Sequence, residues 1–312
     1  MNGKRVLVTG GTGFIGSNLA NALATDNDVA ALDNGYLGTV DNLEDAVTYV
    51  EADVLDDDLP TDVDVVYHLA ALSSRQLLED HPREGTRVNV EGFVNVVEQA
   101  MADGCETVVY ASTSSIYGDR TEPIPEDVPI DASTGYDASM LARERYAEYY
   151  NDFYDDLALA GMRFFSVYQG YGGAESHKGT FANTVSQFAE KIASGTPPVL
   201  WGDGSQTRDF THVEDVVRGL ELAAENRLAG VYNLGTGESY SFNEVVDLLN
   251  DALGTDVEPV YEPIPLTNYV HDTCADSSAF RDATGWRPEI DFEDGVERVC
   301  RPYLEADEND ER

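Results

Sequence analysis

Tyr136 and Met140 stand four residues apart in the stretch Gly135-Tyr136-Asp137-Ala138-Ser139-Met140. From Asp137 to Tyr150 the chain has neither proline nor glycine and is rich in helix formers, so the spacing predicts a helix starting at Tyr136 with both side chains on one face. A phenol in water titrates near pH ~10, and a tyrosine that is to take up a proton at neutral pH needs a positive charge beside it. Met140 brings none. Arg143 and Arg145 are the next cations; Arg143 is about 10 Å further along the helix axis and Arg145 points to the opposite side, so the spacing makes neither an obvious substitute. A bound cation within ~4–6 Å would lower the pKa by roughly one to three units.

The second chemical signal is Gly10, Gly13 and Gly16, set directly after the β-branched run Arg5-Val6-Leu7-Val8-Thr9 and before a helical pattern that lasts to Ala24. A strand, a glycine loop and a helix N-terminus together let a backbone approach a pyrophosphate and offer it free N–H groups. The next strand, Val29 to Leu32, ends in Asp33, where a carboxylate can accept both hydroxyls of a ribose. An acid there favours NAD over NADP.

These residues need a scaffold. Strand patterns at 47–50, 63–69 and 107–111 and a helical pattern near 87–102 continue the alternation, which predicts an α/β fold built on a Rossmann-type doubly wound parallel sheet. The strand ends carry Asp53-Val54, His68-Leu69-Ala70-Ala71 and Ser112-Thr113-Ser114-Ser115, small or polar residues where such sheets bind ligands. His68 reads as a packed strand residue outside the site. By itself the serine-rich turn is equally compatible with loop capping. Later in the chain, 181–193 reads as an amphipathic helix, and residues 305–312 read as a short, frayed charged end.

Composition narrows the partners. Nineteen basic against 59 acidic residues give a net charge of −40, which repels nucleic acid and anionic membrane. Sixteen of the basic residues are arginine, and the acids are spread along the chain, as on a halophile's surface. Self-repulsion of that size destabilises a fold until salt shortens the screening length to ~3 Å at 1 M. No signal peptide or membrane-spanning stretch is recognisable, so a cytoplasmic protein is expected. Cys105, Cys274 and Cys300 are too scattered for a disulfide framework or a zinc site, and no metal is expected.

In order along the chain, Thr9 to Gly16, Asp33-Asn34, Asp53-Val54, Leu69-Ala70-Ala71, Asn89-Val90-Glu91-Gly92, Ser112 to Gly118, Tyr136, Trp201 to Val216 and Val231 to Gly235 resemble the extended short-chain dehydrogenase/reductase family of nucleotide-sugar epimerases and dehydratases. The resemblance covers nearly the whole chain. It implies an NAD-binding part over 1–165 with a return segment at about 210–235, and a nucleotide-sugar region over 166–312. Gly10, Gly13, Phe14, Ile15 and Gly16 would hold the pyrophosphate, Asp33 and Asn34 the adenosine ribose, and Asp53 and Val54 the adenine. Leu69, Ala70, Ala71 and Asn89 would flank the dinucleotide, and Tyr136 and Met140 its nicotinamide end.

The same resemblance makes Tyr136, Thr113 and Ser115 catalytic, with Met140 standing where the family normally has a lysine that bonds the nicotinamide ribose and lowers the tyrosine pKa. Ser73, Thr113, Ser115, Ser166, Trp201 and Arg208 would meet the sugar nucleotide, Arg208 at the diphosphate. Residue reading leaves Arg208 open to a salt bridge with Asp209 or Asp215, and Trp201 equally open to a nucleobase or to the core. The segment 261–270 has no arginine where many relatives place one against the phosphates. The expected function is epimerisation of a nucleotide sugar at C4 with bound NAD, of the UDP-glucose/UDP-galactose type, in a homodimer. A dehydratase or decarboxylase of the same fold, and a catalytically silent NAD-binding protein, are the alternatives. Related 4,6-dehydratases carry Asp-Glu where Ser114-Ser115 stand, which disfavours dehydration.

Overall fold

The computed structural model describes residues 1–120, 122–130 and 132–310. Its centre is a seven-stranded sheet. Six strands follow in chain order: β1 (Arg5–Thr9), β2 (Asp28–Asp33), β3 (Thr48–Glu51), β4 (Val65–His68), β5 (Thr107–Thr113) and β6 (Ala158–Phe164). The spatial order is β3, β2, β1, β4, β5, β6, and then the strand Gly230–Leu234, every pair parallel. Parallel strands are covered on both faces, which is why β1, β4 and β5 read as nearly unbroken apolar runs.

Helix α1 (Phe14–Ala24) and the helix Val213–Glu225 pack on one face, burying Leu19, Leu23, Val216 and Leu220. On the other face lie α4 (Gly92–Ala102) and α5 (Gly135–Phe153), which bury Phe93, Val97, Ala147 and Tyr150. The chain order reverses between β1 and β4, and Thr9 is in register with His68 at that point. Ligands bind such sheets at the carboxyl ends beside the reversal.

The helix expected near 87–102 is there, as a π-helical turn Arg87–Glu91 running into α4, and two short helices, α2 (Arg75–Asp80) and α3 (Pro82–Thr86), precede it. Pro82 opens α3 because it lacks an N–H, and the widened π turn places Asn89 inward, fully buried. The helix expected from Phe181 begins at Thr184, capped by the Asn183 side chain on Val185 N–H. The last helix runs from Phe292 to Asp310 where a frayed end was expected from residue 305; Glu311 and Arg312 lie outside the described residues. Among the described residues no helix is long and apolar enough to cross a membrane.

The start of α5 is fixed by a reciprocal cap. Thr134 accepts from Asp137 N–H at 3.1 Å, and the Asp137 carboxylate accepts from Thr134 N–H at 3.0 Å. The helix therefore begins one residue before Tyr136 and aims its first turn at the end of β5. Two turns on, Glu144 holds the two elements together. It takes two hydrogen bonds from the Arg163 guanidinium, at 2.7 and 2.8 Å, and one from Ser112 Oγ at 2.6 Å, all buried. Arg163 passes on to Tyr117, whose hydroxyl donates to Asn233 on the returning strand. Glu144→Ala would leave a buried guanidinium without its anion, and a loss of about 3–5 kcal/mol of stability is expected, read as a lower denaturation midpoint in high salt.

Residues beyond β6 that do not return to the sheet form a smaller lobe. Its core is Phe188, Ile192, Phe210, Phe242, Val245 and Val296, with the parallel pair Val199–Trp201 and Val260–Glu262 at its edge.

Candidate active site

A cleft of about 1280 Å³ opens at the carboxyl ends of β1, β2, β4 and β5. Its cofactor half is shaped by glycines that cannot be replaced without overlap. Gly10 has φ +68°, and a Cβ there would lie 2.7 Å from the backbone nitrogen of Ala70; a Cβ on Gly16 would overlap the Gly10 carbonyl oxygen. The first turn of α1 holds no acidic residue, and its cap, Gly13, has no side chain, so the N–H groups of that turn are left for an anion. Gly13, Phe14, Ile15 and Gly16 all line the cleft there.

Asp33, at the end of β2, accepts from Thr12 N–H at 3.2 Å and Gly35 N–H at 2.9 Å, which pins the carboxylate on the cleft wall with further lone pairs to offer. Asn34 donates to Asp53 at 2.9 Å, and Asp53 and Val54 close that end. Leu69, Ala70 and Ala71 form the opposite wall. A glycine cradle at a helix N-terminus followed by an acid at the end of the next strand fits a dinucleotide.

Sequence reasoning missed the segment 176–181, which forms the lip over α1. Lys178 Nζ lies 5.4 Å from the centre of the Phe14 ring, beside the pyrophosphate cradle, and burial lowers its pKa, partly offset by Glu175. The one available signal was rarity: the chain has three lysines.

At the other end of the cleft stand Tyr136, Met140 and Thr113. Thr113 Oγ1 accepts from Ser115 N–H at 3.2 Å and lies 3.0 Å from Ser115 Oγ, which donates to Asp137 at 2.5 Å. Thr113 Oγ1 also hydrogen-bonds the Tyr136 phenol, and this bond favours the ionised form. Ser115 is thus one step behind the cleft wall, orienting Thr113. The Tyr136 pKa is raised above its ordinary value: burial dominates, the Thr113 hydroxyl and the Arg143 charge pull it down, and Asp137 pushes it up.

Arg143 is the correction to the spacing argument. The distance along the axis holds for the backbone, but a helical side chain leans toward the N-terminus. Its guanidinium is fully buried behind the cleft wall, with Nε donating to Asn89 carbonyl oxygen at 2.5 Å and Nη2 to that of Ala70 at 2.8 Å. Arg145 is exposed and pairs with Glu148. Asn89 does not line the cleft; it clamps both backbone groups of Leu72 and donates to Ser139 at 3.0 Å, holding wall and helix together. His68 is a packed strand residue, sharing a 3.0 Å hydrogen bond with Thr9, and burial, then the Arg143 charge, holds it neutral.

Of the expected sugar-nucleotide residues, Ser73 and Ser166 line the cleft with Thr113. Trp201 and Arg208 do not; they meet in the smaller lobe around Tyr269. The Trp201 ring stands edge-on to Tyr269, and Arg208 lies between Tyr269 and Phe242, 5.4 and 5.5 Å from their centres. Among the described residues Arg208 has no carboxylate partner. It donates to the carbonyls of Thr207, Val270 and His271, while Asp209 and Asp215 are engaged elsewhere. The arginine-free segment 261–270 is reached by Arg75, which donates to the Thr267 carbonyl at 2.9 Å.

Fold and cleft together define a nucleotide-dependent α/β enzyme whose dinucleotide-type cleft is lined by a tyrosine and a threonine. Residues 6–235 match the NAD dependent epimerase/dehydratase family, and the chain belongs to it. It is 35% identical to a putative UDP-glucose 4-epimerase of Methanocaldococcus jannaschii, over 94% of this chain and 96% of that one. Among solved structures, the UDP-glucose 4-epimerase of Thermus thermophilus in complex with NAD superposes with a TM-score of 0.85 at 31% identity, covering 97% of this chain and 99% of its own. A UDP-N-acetylglucosamine 4-epimerase from Methanobrevibacter ruminantium, in complex with UDP-N-acetylmuramic acid, superposes with a TM-score of 0.90 at 27% identity, covering 98% and 100%.

Proposed function

We infer that this enzyme epimerises a UDP-sugar at C4 through a transient 4-keto sugar, in the manner of its UDP-glucose 4-epimerase relatives. The observation that carries it is Tyr136 beside Thr113 at the reacting end of the cleft. Tyr136, once ionised, takes the C4 hydroxyl proton while Thr113 hydrogen-bonds the same oxygen, and Tyr136 returns the proton when the alcohol is remade. NAD, when bound, supplies the acceptor for the C4 hydride and gives it back, so none is consumed. Dehydration needs an acid and base at the sugar. Ser114 and Ser115 stand where the related dehydratases carry Asp-Glu, and Ser115 is turned away onto Asp137.

Residues 1–165 with 210–235 serve the cofactor in this reading, and 166–312 the sugar nucleotide. Arg208, which has no carboxylate partner among the described residues, is offered to the diphosphate, Trp201 and Tyr269 to the base, and Ser73 and Ser166 to the sugar. Incubation in high salt with NAD and UDP-, GDP- and dTDP-sugars, followed by NMR, tests it: interconversion of C4 epimers without NADH release is expected. Intact NAD binding with no turnover of any sugar would sink it.

Three further properties belong to the same reading. The net charge of −40 suits a halophile, and desalting is expected to unfold the protein partly, seen as a loss of circular dichroism. Full structure and activity in dilute buffer would contradict it. The outer face of α5 exposes Tyr146, Tyr149, Phe153 and Tyr154, three of them in ring contact, which suits a homodimer through this helix. Phe153→Glu should then halve the mass seen by sedimentation in high salt, and a wild-type monomer would rule the dimer out. Three buried, unpaired cysteines suit a cytoplasmic enzyme, to be checked by fractionation, with recovery outside the cytoplasm counting against it.

A further inference from the structure

We propose that Arg143 is the positioning residue that stabilises the Tyr136 phenolate, delivering from the next turn of α5 the positive charge that a side chain at position 140 does not bring. The inference rests on Tyr136 being the base of the epimerase. Residues 136, 140 and 143 share one face of the helix, since seven residues make nearly two turns. The Arg143 guanidinium is anchored by the carbonyls of Ala70, which lines the cleft, and Asn89, which bonds Ser139. Those anchors place it at the level of Ser139 and Met140, one layer behind the wall.

What marks this arginine is the lack of an anion. Arg163, the other arginine buried in this region, has Glu144. Arg143 is fully buried and, among the described residues, makes no salt bridge and leaves Nη1 without a hydrogen-bond partner. Burial lowers its pKa to about 10, so it stays charged at neutral pH, and the groups it attracts are the phenols of Tyr136 and Tyr110. A buried charge with no counter-ion is unfavourable, and it is relieved when a neighbour ionises.

Of the two phenols, only Tyr136 can be that neighbour. Tyr110 is fully buried in β5 and faces Glu144, both of which hold it protonated. Tyr136 opens on the cleft and has the Thr113 hydroxyl from the end of β5 and the Arg143 charge in favour of its ionised form; Asp137, on its own helix, opposes. His68 from β4 is held neutral and adds no charge. Arg143 and a bound oxidised nicotinamide would act from two sides on one oxygen. Met140 is then free to be an apolar part of the wall, at the loss of a direct bond to the nicotinamide ribose.

The test is the ionisation of Tyr136 itself, followed by ultraviolet difference absorbance against Tyr136→Phe, with and without NAD, in high salt. Arg143→Met should raise the Tyr136 pKa by roughly one to three units and move the alkaline rise of kcat by the same amount. Arg143→Lys should stay near wild type, and Arg143→Met with Met140→Lys should return most of the shift. A folded Arg143→Met protein whose Tyr136 titrates as in wild type overturns the proposal. If Arg143→Met does not fold, Arg143→Gln, which keeps an amide donor for the Ala70 and Asn89 carbonyls without the charge, decides: a Tyr136 that titrates there as in wild type overturns it equally. A wild type that turns over no sugar, while Tyr136 still follows the charge at 143, would fail the epimerase reading and leave this one standing.

Discussion

Tyr136→Phe is expected to lower kcat by about two to four orders of magnitude, the usual worth of a positioned acid-base group, while NAD affinity changes little. Tyr136 lines the cleft, and removing its hydroxyl deletes one hydrogen bond to Thr113 while keeping the ring. Thr113→Ala should cost less than Tyr136→Phe. It removes a partner that favours ionisation, and the larger opposing influence, burial, is unchanged. The pH dependence should carry the same signature. The folded-state pKa of Tyr136 is raised, so activity that needs the phenolate rises toward alkaline pH in the wild type. Single-turnover measurement with a UDP-hexose checks both variants, and a Tyr136→Phe enzyme of wild-type rate would mean that another group is the base.

The parts of this protein that sequence made legible are those whose function is local in the chain. Gly10, Gly13 and Gly16 with Asp33, and the helix after Thr134, depend on backbone geometry within a few residues, and each stands where its spacing put it. Arg143 was passed over for the opposite reason. Its partners, Ala70 and Asn89, are 73 and 54 residues away, and axial distance along a helix ignores the lean of a long side chain. Asn89 was assigned to the cofactor from its motif, and a π turn faces it inward, where it clamps the backbone of Leu72 behind the cleft wall. Ser115 was expected at the sugar, but Asp137 claims its hydroxyl. Trp201 and Arg208 were grouped with Ser166, and the fold separates them: Ser166 lines the cleft, while the pair meets around Tyr269 in the smaller lobe.

The cofactor cradle admits a test in which steric overlap and backbone strain are separated. Gly10 and Gly104 both have positive φ, +68° and +84°, so alanine at either meets a similar backbone penalty of about 1–2 kcal/mol. Around Gly104 nothing lies within 4 Å of the added Cβ, whereas at Gly10 it would meet the Ala70 backbone at 2.7 Å. Gly16→Ala tests the overlap alone, because its new methyl would run into the Gly10 carbonyl, a backbone atom that cannot turn aside. In both cradle variants the loop and α1 must move apart, and the N–H groups at the helix start leave the positions from which they would hold a pyrophosphate. NAD affinity, measured by calorimetry in high salt, is expected to fall by at least about tenfold, or ~1.4 kcal/mol, for Gly10→Ala and Gly16→Ala. Gly104→Ala should lower the denaturation midpoint alone. Unchanged NAD affinity in Gly16→Ala would mean that the pyrophosphate is held elsewhere, and Lys178 on the opposite lip would then be the first residue to examine.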